Sequence, residues 1–396
     1  VVAFNLAVEV RVSEKVYDIV FEGGGARGVV HLGAIRAFEE AGLLPGRVVA
    51  TSAGAIGAAL LAAGYDSHAF EAALFAEVRP GVTAFATFLD PIEQLTDEQV
   101  EASAVFRALD EFDMPFIGAD AERRLDLRVA KAIVNSPGLR HYTSLNEWGG
   151  VCAGEGIFQN VQRWLAQAPG GRDYSQATLG ELYAATGRHL TVVATDVTVG
   201  RMLALNHVTA PDVPVAWAVR MSVAIPFVYQ EVRWRSAWGQ YLGQELAGNV
   251  VVDGGALSNF PLGLVLGRGP DIERIMGPVP PGEPRAVGLD IMPSMEVDED
   301  TLIEDATVEL ARRNPKKGLV SSPIIDRGLA LIAAMMNARD RESKDAHRAS
   351  IVRLPAAGFS VTDFDMNKVD RERLIAAGHR AMSAWLRERG LDGAAD

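Results

Sequence analysis

Five short apolar runs stand out along the chain, at residues 17–22, 48–51, 190–195, 250–252 and 286–291. Each has the length of a buried strand, and stretches with helical spacing separate several of them. Alternation of this kind predicts an α/β domain with a largely parallel central sheet. At the N-terminus Val2, Phe4, Leu6, Val8, Val10 and Val12 alternate with smaller or polar residues, the period of a half-buried strand. The longest apolar window, "VVATSAGAIGAALLAAGY" at 48–65, is long enough to span a bilayer. Ala and Gly dominate it, however, and it opens as a strand followed by a turn, so it reads as a buried strand–turn–helix.

Residues 77–150 break the rhythm with charged helical pieces such as "DPIEQLTDEQVEASAVFRALDEF" and are expected to form an insertion at one edge or a lid over a site. The stretch "GPVPPGEPR" at 277–285 is too rich in proline for regular structure. Beyond residue 295 the pattern is mainly helical, in "TLIEDATVELARR", "DRGLALIAAMMNARDRESKDAHRAS" and "KVDRERLIAAGHRAMSAWLRERG". The expected organisation is one α/β domain over 1–294 and a helical extension over 295–396 packed on it.

Composition narrows the function classes. With 48% hydrophobic and 22% charged residues, the 396-residue chain has an ordinary globular balance. Its net charge of −13 argues against a nucleic-acid partner, which needs a basic surface. Cys152 is the single cysteine, so neither an intrachain disulfide nor a thiolate metal cluster is expected. The N-terminus lacks the basic start and small-residue cleavage site of a signal peptide, and no membrane span is expected. The expectation is a cytoplasmic or peripheral membrane protein; residue 1 is Val, which leaves room for a segment upstream.

The chemistry sits at the strand ends. In "YDIVFEGGGARGVVHLGAI" a strand runs into Gly23, Gly24, Gly25, Ala26, Arg27 and Gly28, and a helix follows. Glycines let backbone N–H groups approach an anion, and the helix adds its positive end. The anion could be a dinucleotide pyrophosphate or the oxyanion of an attacked ester. A dinucleotide fold needs an acid at the end of the second strand, about 20 residues past the glycines. Residues 46–54 read "GRVVATSAG" and hold no acid, so the dinucleotide reading fails. What stands there is close to G-x-S-x-G, a sharp turn that lifts a serine above the sheet: Ala50, Thr51, Ser52, Ala53, Gly54. Ala50 replaces the first glycine, a departure of one methyl group. The plain alternative is a tightly packed strand–helix joint.

In "NVVVDGGALSNFP" three valines deliver Asp253 to a strand end, and Gly254 and Gly255 turn the chain beside it. Such a carboxylate can serve as a base toward a neighbouring serine, or can be an ordinary Asp-Gly turn.

Taken together and in this order, the glycine loop, the serine elbow and Asp-Gly-Gly resemble the patatin-like phospholipase family. Further likeness runs through "TLGELYAATGRHLTVVATDVTVGRMLALN" (178–206), "AVRMSVAIPFVYQEV" (218–232) with its Ser-x-x-x-Pro, and "DRERLIAAGHRAMSAWL" (370–386). The resemblance implies a layered α/β/α domain and a Ser–Asp dyad, with Ser52 as nucleophile, Asp253 as its base, and backbone N–H groups around Gly24, Gly25 and Arg27 as the oxyanion hole. It implies no cofactor and no metal. His31, His189 and His207 are then expected to be structural. Arg27 can brace the loop or hold a lipid phosphate.

The implied activity is hydrolysis of lipid carboxylic esters; acyl transfer by the same dyad, or a non-catalytic lipid-binding module, are the alternatives. The implied substrate is a lipid or small ester, with contact at a membrane surface. Two basic–aromatic stretches suit such contact: Arg312, Arg313, Lys316 and Lys317 before an apolar helix, and Arg233, Trp234, Arg235, Trp238 and Tyr241. A solvated charge cluster beside core aromatics is the alternative for each. The oligomeric state stays open.

Overall fold

The computed structural model describes residues 15–111, 119–278, 285–297, 327 and 343–392. The alternating N-terminal run, Arg312–Lys317, the helix expected at 301–313 and most of the one at 326–350 lie outside these.

An eight-stranded sheet organises the chain. β1 (Val16–Phe21) and β2 (Leu44–Thr51) flank α1 (Val30–Glu40), and α2 (Ala53–Ala63) follows β2 directly. Next comes the inserted region, with α3 (Asp97–Ala102), α4 (Ala104–Asp110), α5 (Ala119–Val134) and α6 (Arg140–Trp148). β3 (Leu190–Asp196), β4 (Arg201–Leu205), α7 (Val215–Ser222), β5 (Val232–Arg233), β6 (Val250–Asp253) and β7 (Ala286–Met292) complete the central part, and β8 (Ile351–Pro355) and α8 (Lys368–Arg387) the C-terminal part. The strand order is β8-β7-β1-β2-β3-β6-β5, with β4 paired to β3. β8, β7, β1, β2 and β3 are mutually parallel; β4 and β6 pair antiparallel with β3, and β5 pairs antiparallel with β6. Four of the five apolar runs fall within a strand, and the first, 17–22, passes the end of β1 by one residue.

Both faces of the sheet are covered, which explains why these strands read as continuous apolar runs. Ile19, Phe21, Val48, Ala50 and Val192 face a large core shared with α1, α2 and α8. Their neighbours Val20, Val49 and Val193 face a second core closed by Phe260, Leu262 and Val265. The inserted helices bury a small core of their own, built on Ile92, Leu95, Val100, Phe106 and Val134.

The C-terminal region is not purely helical. Ile351–Pro355 forms β8 and extends the sheet, pairing Gly288 with Ile351 and Met292 with Pro355. Only Arg353 of this strand is exposed, so it lacks the alternation that marks a strand in sequence. The aromatic stretch at 233–241 is also core: Trp234, Trp238 and Tyr241 are buried, and Arg235 stacks its guanidinium 4.2 Å from the Trp217 ring centre. Those rings therefore offer no surface for a membrane. Among the described residues, no helix is long and apolar enough to cross one.

α8 packs on α1 backbone to backbone. A Cβ on Gly33 would lie 1.7 Å from the Ile375 carbonyl oxygen, and one on Gly378 would lie 2.0 Å from that of Val30. Gly378→Ala must part the two helices, and we expect a cost of about 1–3 kcal/mol or more, read from the urea midpoint. Gly263→Ala, whose Cβ meets nothing within 4 Å, should stay within about 0.5 kcal/mol of wild type.

Candidate active site

β3 brings Ser52 and Asp253 together. On the edge of β3 away from β4, β2 pairs as far as Thr51 with Val193, and β6 arrives from the opposite direction to pair Asp253 with Ala194. Two strands thus meet end to end along one neighbour. The residue after the end of one and the residue ending the other become adjacent, although 201 positions separate them in sequence. Ser52 Oγ donates a hydrogen bond to Asp253 Oδ2 at 2.6 Å.

The local backbone lifts the serine. Ser52 has φ +53° and ψ −126°, a conformation costly for any residue but glycine, by about 1–3 kcal/mol. Its N–H donates to Ser222 Oγ at 2.8 Å, and Ser222 in turn donates to the Val193 carbonyl at 2.6 Å, which pins the turn to β3. Small neighbours permit the geometry. A Cβ on Gly54 would meet Phe21 Cβ at 2.6 Å, and one on Gly254 would meet the Val193 carbonyl oxygen at 2.3 Å. Ala50 keeps a negative φ in mid-strand and its methyl is buried, so the departure from glycine there is absorbed. Ser52 also stands at the N-cap of α2, near the positive end of its dipole.

Asp253 is only 4% exposed. Burial pushes its carboxyl up to about 7, opposed by the hydrogen bond from Ser52 and by the one that Gly255 N–H donates to Oδ1 at 2.7 Å. Desolvation wins because two hydrogen bonds are fewer than a carboxylate keeps in water.

The glycine loop lies alongside. Gly23 N–H donates to the Asn259 carbonyl at 3.1 Å, and Asn259 Nδ2 returns a bond to the Gly23 carbonyl at 3.0 Å. This staples the glycine loop to the Asp-Gly-Gly loop. A Cβ on Gly23 would come 2.9 Å from Ser52 Cβ. Gly25 adopts φ +57° against the Val361 carbonyl oxygen, which accepts from Ala26 N–H at 2.8 Å. Arg27, grouped with Gly24 and Gly25 from sequence, has its N–H turned to the Gly24 carbonyl at 3.3 Å and its Nε on the Phe359 carbonyl at 2.8 Å. Among the described residues, the N–H groups of Gly24 and Gly25 have no acceptor in the protein. Gly28 packs its Cα against Ala53.

Further charge lies in the wall of the open cleft above these groups, a space of about 1450 Å³. Lys344 Nζ bridges Glu22 Oε1 at 2.7 Å and Asp290 Oδ1 at 2.6 Å, while Glu22 Oε2 accepts from Ile291 N–H at 2.6 Å. Burial raises Glu22 well above the usual carboxylate range, partly offset by the Lys344 ammonium. Sequence reading missed this cluster, because its members come from β1, β7 and the segment before β8. It also missed the part played by Ser222, whose only signal was the Ser-x-x-x-Pro segment.

The histidines lie elsewhere. His31 is buried edge-on against Phe21, with ring centres 5.3 Å apart, and burial lowers it to about 4, so it is neutral near pH 7. His207 stacks on Tyr183 at 3.5 Å, and His189 Nε2 lies 3.0 Å from Thr191 Oγ1. None of the three lines the cleft.

The uncharacterized protein YqhO of Bacillus subtilis (strain 168) is 26% identical over 383 residues, covering 94% of this chain and 98% of that protein. Among solved structures, VipD from Legionella pneumophila matches with a TM-score of 0.44 and 16% identity, over 94% of this chain and 67% of VipD. ExoU from Pseudomonas aeruginosa, solved in complex with SpcU, matches with a TM-score of 0.39 and 16% identity over 95% of this chain. The chain spans about half the length of ExoU, 53%. The model of the family described as patatin-like phospholipase matches residues 19–266, which include the glycine loop, the serine elbow and the Asp-Gly-Gly turn. The chain belongs to the patatin-like phospholipase family.

Proposed function

We propose that this protein hydrolyses carboxylic esters of lipids through a Ser52 acyl-enzyme, with Asp253 as general base. Family membership supports a lipolytic or esterase activity in general. The observation that carries the finer reading is the 2.6 Å hydrogen bond from Ser52 Oγ to a buried Asp253.

In this mechanism the ester carbonyl enters between the glycine loop and Ser52. As Oγ attacks the carbonyl carbon, its proton passes to Asp253. The oxyanion accepts hydrogen bonds from Gly24 and Gly25 N–H, with the α2 dipole adding to its stabilisation. Collapse breaks the bond to the leaving alcohol, which takes the proton from Asp253. Water then gives a proton to Asp253 as it attacks the acyl-enzyme; the Ser52–acyl bond breaks, and Ser52 recovers its proton as the carboxylic acid leaves.

A carboxylate with the ordinary value of about 3.9 is a poor base for a serine. At about 7, Asp253 is a better match to neutral pH. Arg27 acts as a brace, holding the loop through Phe359.

The direct test is hydrolysis of p-nitrophenyl butyrate and of phospholipid vesicles by wild type, Ser52→Ala and Asp253→Asn, each checked for folding by circular dichroism. Both substitutions should lower kcat by at least about 10³. Near-wild-type activity in folded Asp253→Asn would remove it as the base. Because the base works deprotonated and its pKa is raised, kcat/KM should climb about tenfold per pH unit below pH 7 and level off above it. Gly25→Ala, which must push the loop off Val361, should lose about 10²–10³ in kcat while Ser52 remains in place.

A further inference from the structure

A second, narrow cavity adjoins the dyad. It shares Gly25, Ser52 and Ile225 with the open cleft, and Ala53 and Ile56 also line it. Three phenylalanines, Phe85, Phe88 and Phe364, none more than 7% exposed, line it as well. Their rings contact one another, edge to face for Phe85 with Phe88 at 5.5 Å between centres and with Phe364 at 5.2 Å, and tilted for Phe88 with Phe364 at 5.8 Å. Phe88 is further backed by Trp164 at 6.1 Å. Interlocked rings cannot swing aside without losing these contacts, which are worth more than their buried area alone.

The free volume is about 40 Å³. A water needs about 10–15 Å³ by this measure, so the slot offers roughly three water-sized positions. A methylene is close to a water in size. The open cleft, by contrast, mixes the charged Glu22, Asp290, Lys344 and Arg348 with apolar groups such as Ile291, Met292 and Trp385, whereas the slot's lining is apolar apart from Ser52 and the Tyr229 hydroxyl.

The three rings come from two parts of the chain that carry none of the sequence motifs, the first within the matched residues 19–266 and the second beyond them. Phe85 and Phe88 open the inserted region. Phe364 belongs to the segment after β8 that also supplies the Phe359 and Val361 carbonyls to the glycine loop, and it lies beyond the matched residues 19–266. The slot thus joins Ser52 and the glycine loop to rings from the start of the inserted region and from the C-terminal segment.

We propose that this slot seats the acyl chain of the substrate, and that Phe85, Phe88 and Phe364 restrict it to short chains, of about four carbons counting the carbonyl. The inference rests on the Ser52 acyl-enzyme reading and names the substrate class for it: short-chain carboxylic esters.

The test compares p-nitrophenyl acetate, butyrate and octanoate as substrates for wild type, Phe88→Ala, Phe364→Ala and the milder Phe88→Leu and Phe364→Leu. The readout is the ratio of kcat/KM for octanoate over butyrate within each enzyme, which does not depend on the active fraction. Wild type should prefer butyrate over octanoate by at least tenfold, since a pocket one methylene too short already discriminates by about 10–200-fold. Both Ala variants should raise the ratio at least tenfold, with the Leu variants in between. Equal rates of wild type on octanoate and butyrate, or a ratio unmoved in every variant, would overturn the proposal. Labelling with a fluorophosphonate and peptide mass spectrometry separates the two levels. A labelled Ser52 without chain-length preference sinks the slot alone; an unlabelled Ser52 with no hydrolysis of any ester sinks the acyl-enzyme reading and the slot with it.

Discussion

The arrangement depends on one shared edge. β2 and β6 occupy the same side of β3 and run toward each other, so the backbone hydrogen bonds of a single strand set the separation of Ser52 and Asp253. Sheet register is rigid because slipping by one residue would turn every buried valine to the wrong face. The two side chains therefore meet without a search by a long, flexible one. The arrangement demands room: where two strand ends, two turns and a helix start converge, backbones crowd. Gly23, Gly54 and Gly254 lie at those contacts, each within 3 Å of another residue once a Cβ is added.

Unfavourable features collect here and are balanced by the surroundings. Ser52 carries a strained φ, and Asp253 carries a carboxyl that burial drives toward its neutral form. Against the first stands the Ser222 relay to Val193, which satisfies the Ser52 N–H and ties the turn to the sheet. Against the second stand the bonds from Ser52 and Gly255, which keep the carboxylate from losing all its solvation. A strained turn and a raised carboxyl in contact, beside unpaired N–H groups and an open cleft, form a combination that a purely structural strand–helix joint does not require.

The C-terminal part belongs to this site as much as the motifs do. β8 widens the sheet, α8 lies on α1 with backbones in contact, and Lys344 joins Glu22 at the end of β1 to Asp290 in β7. Between β8 and α8 the chain passes over the glycine loop and holds it at Ala26 and Arg27. The glycine loop, which lines the cleft, is thus clamped from both sides, by Asn259 and by the C-terminal segment.

The chain's local pattern was enough for the layered α/β architecture, the strand ends that carry Ser52 and Asp253, and the glycine positions. These are legible because burial on both faces leaves continuous apolar runs, and because tight turns admit few residue types. Tertiary structure alone decided the rest. β8 has no alternation to announce it, since both its faces are covered. Trp234, Trp238 and Tyr241 look like surface anchors beside Arg233 and Arg235, yet packing turns their rings inward. Ser222, the Lys344 bridge and the meeting of Phe364 with Phe85 and Phe88 join residues far apart in the chain. Composition and spacing say what a segment can form locally, and long-range pairing determines which segments it meets.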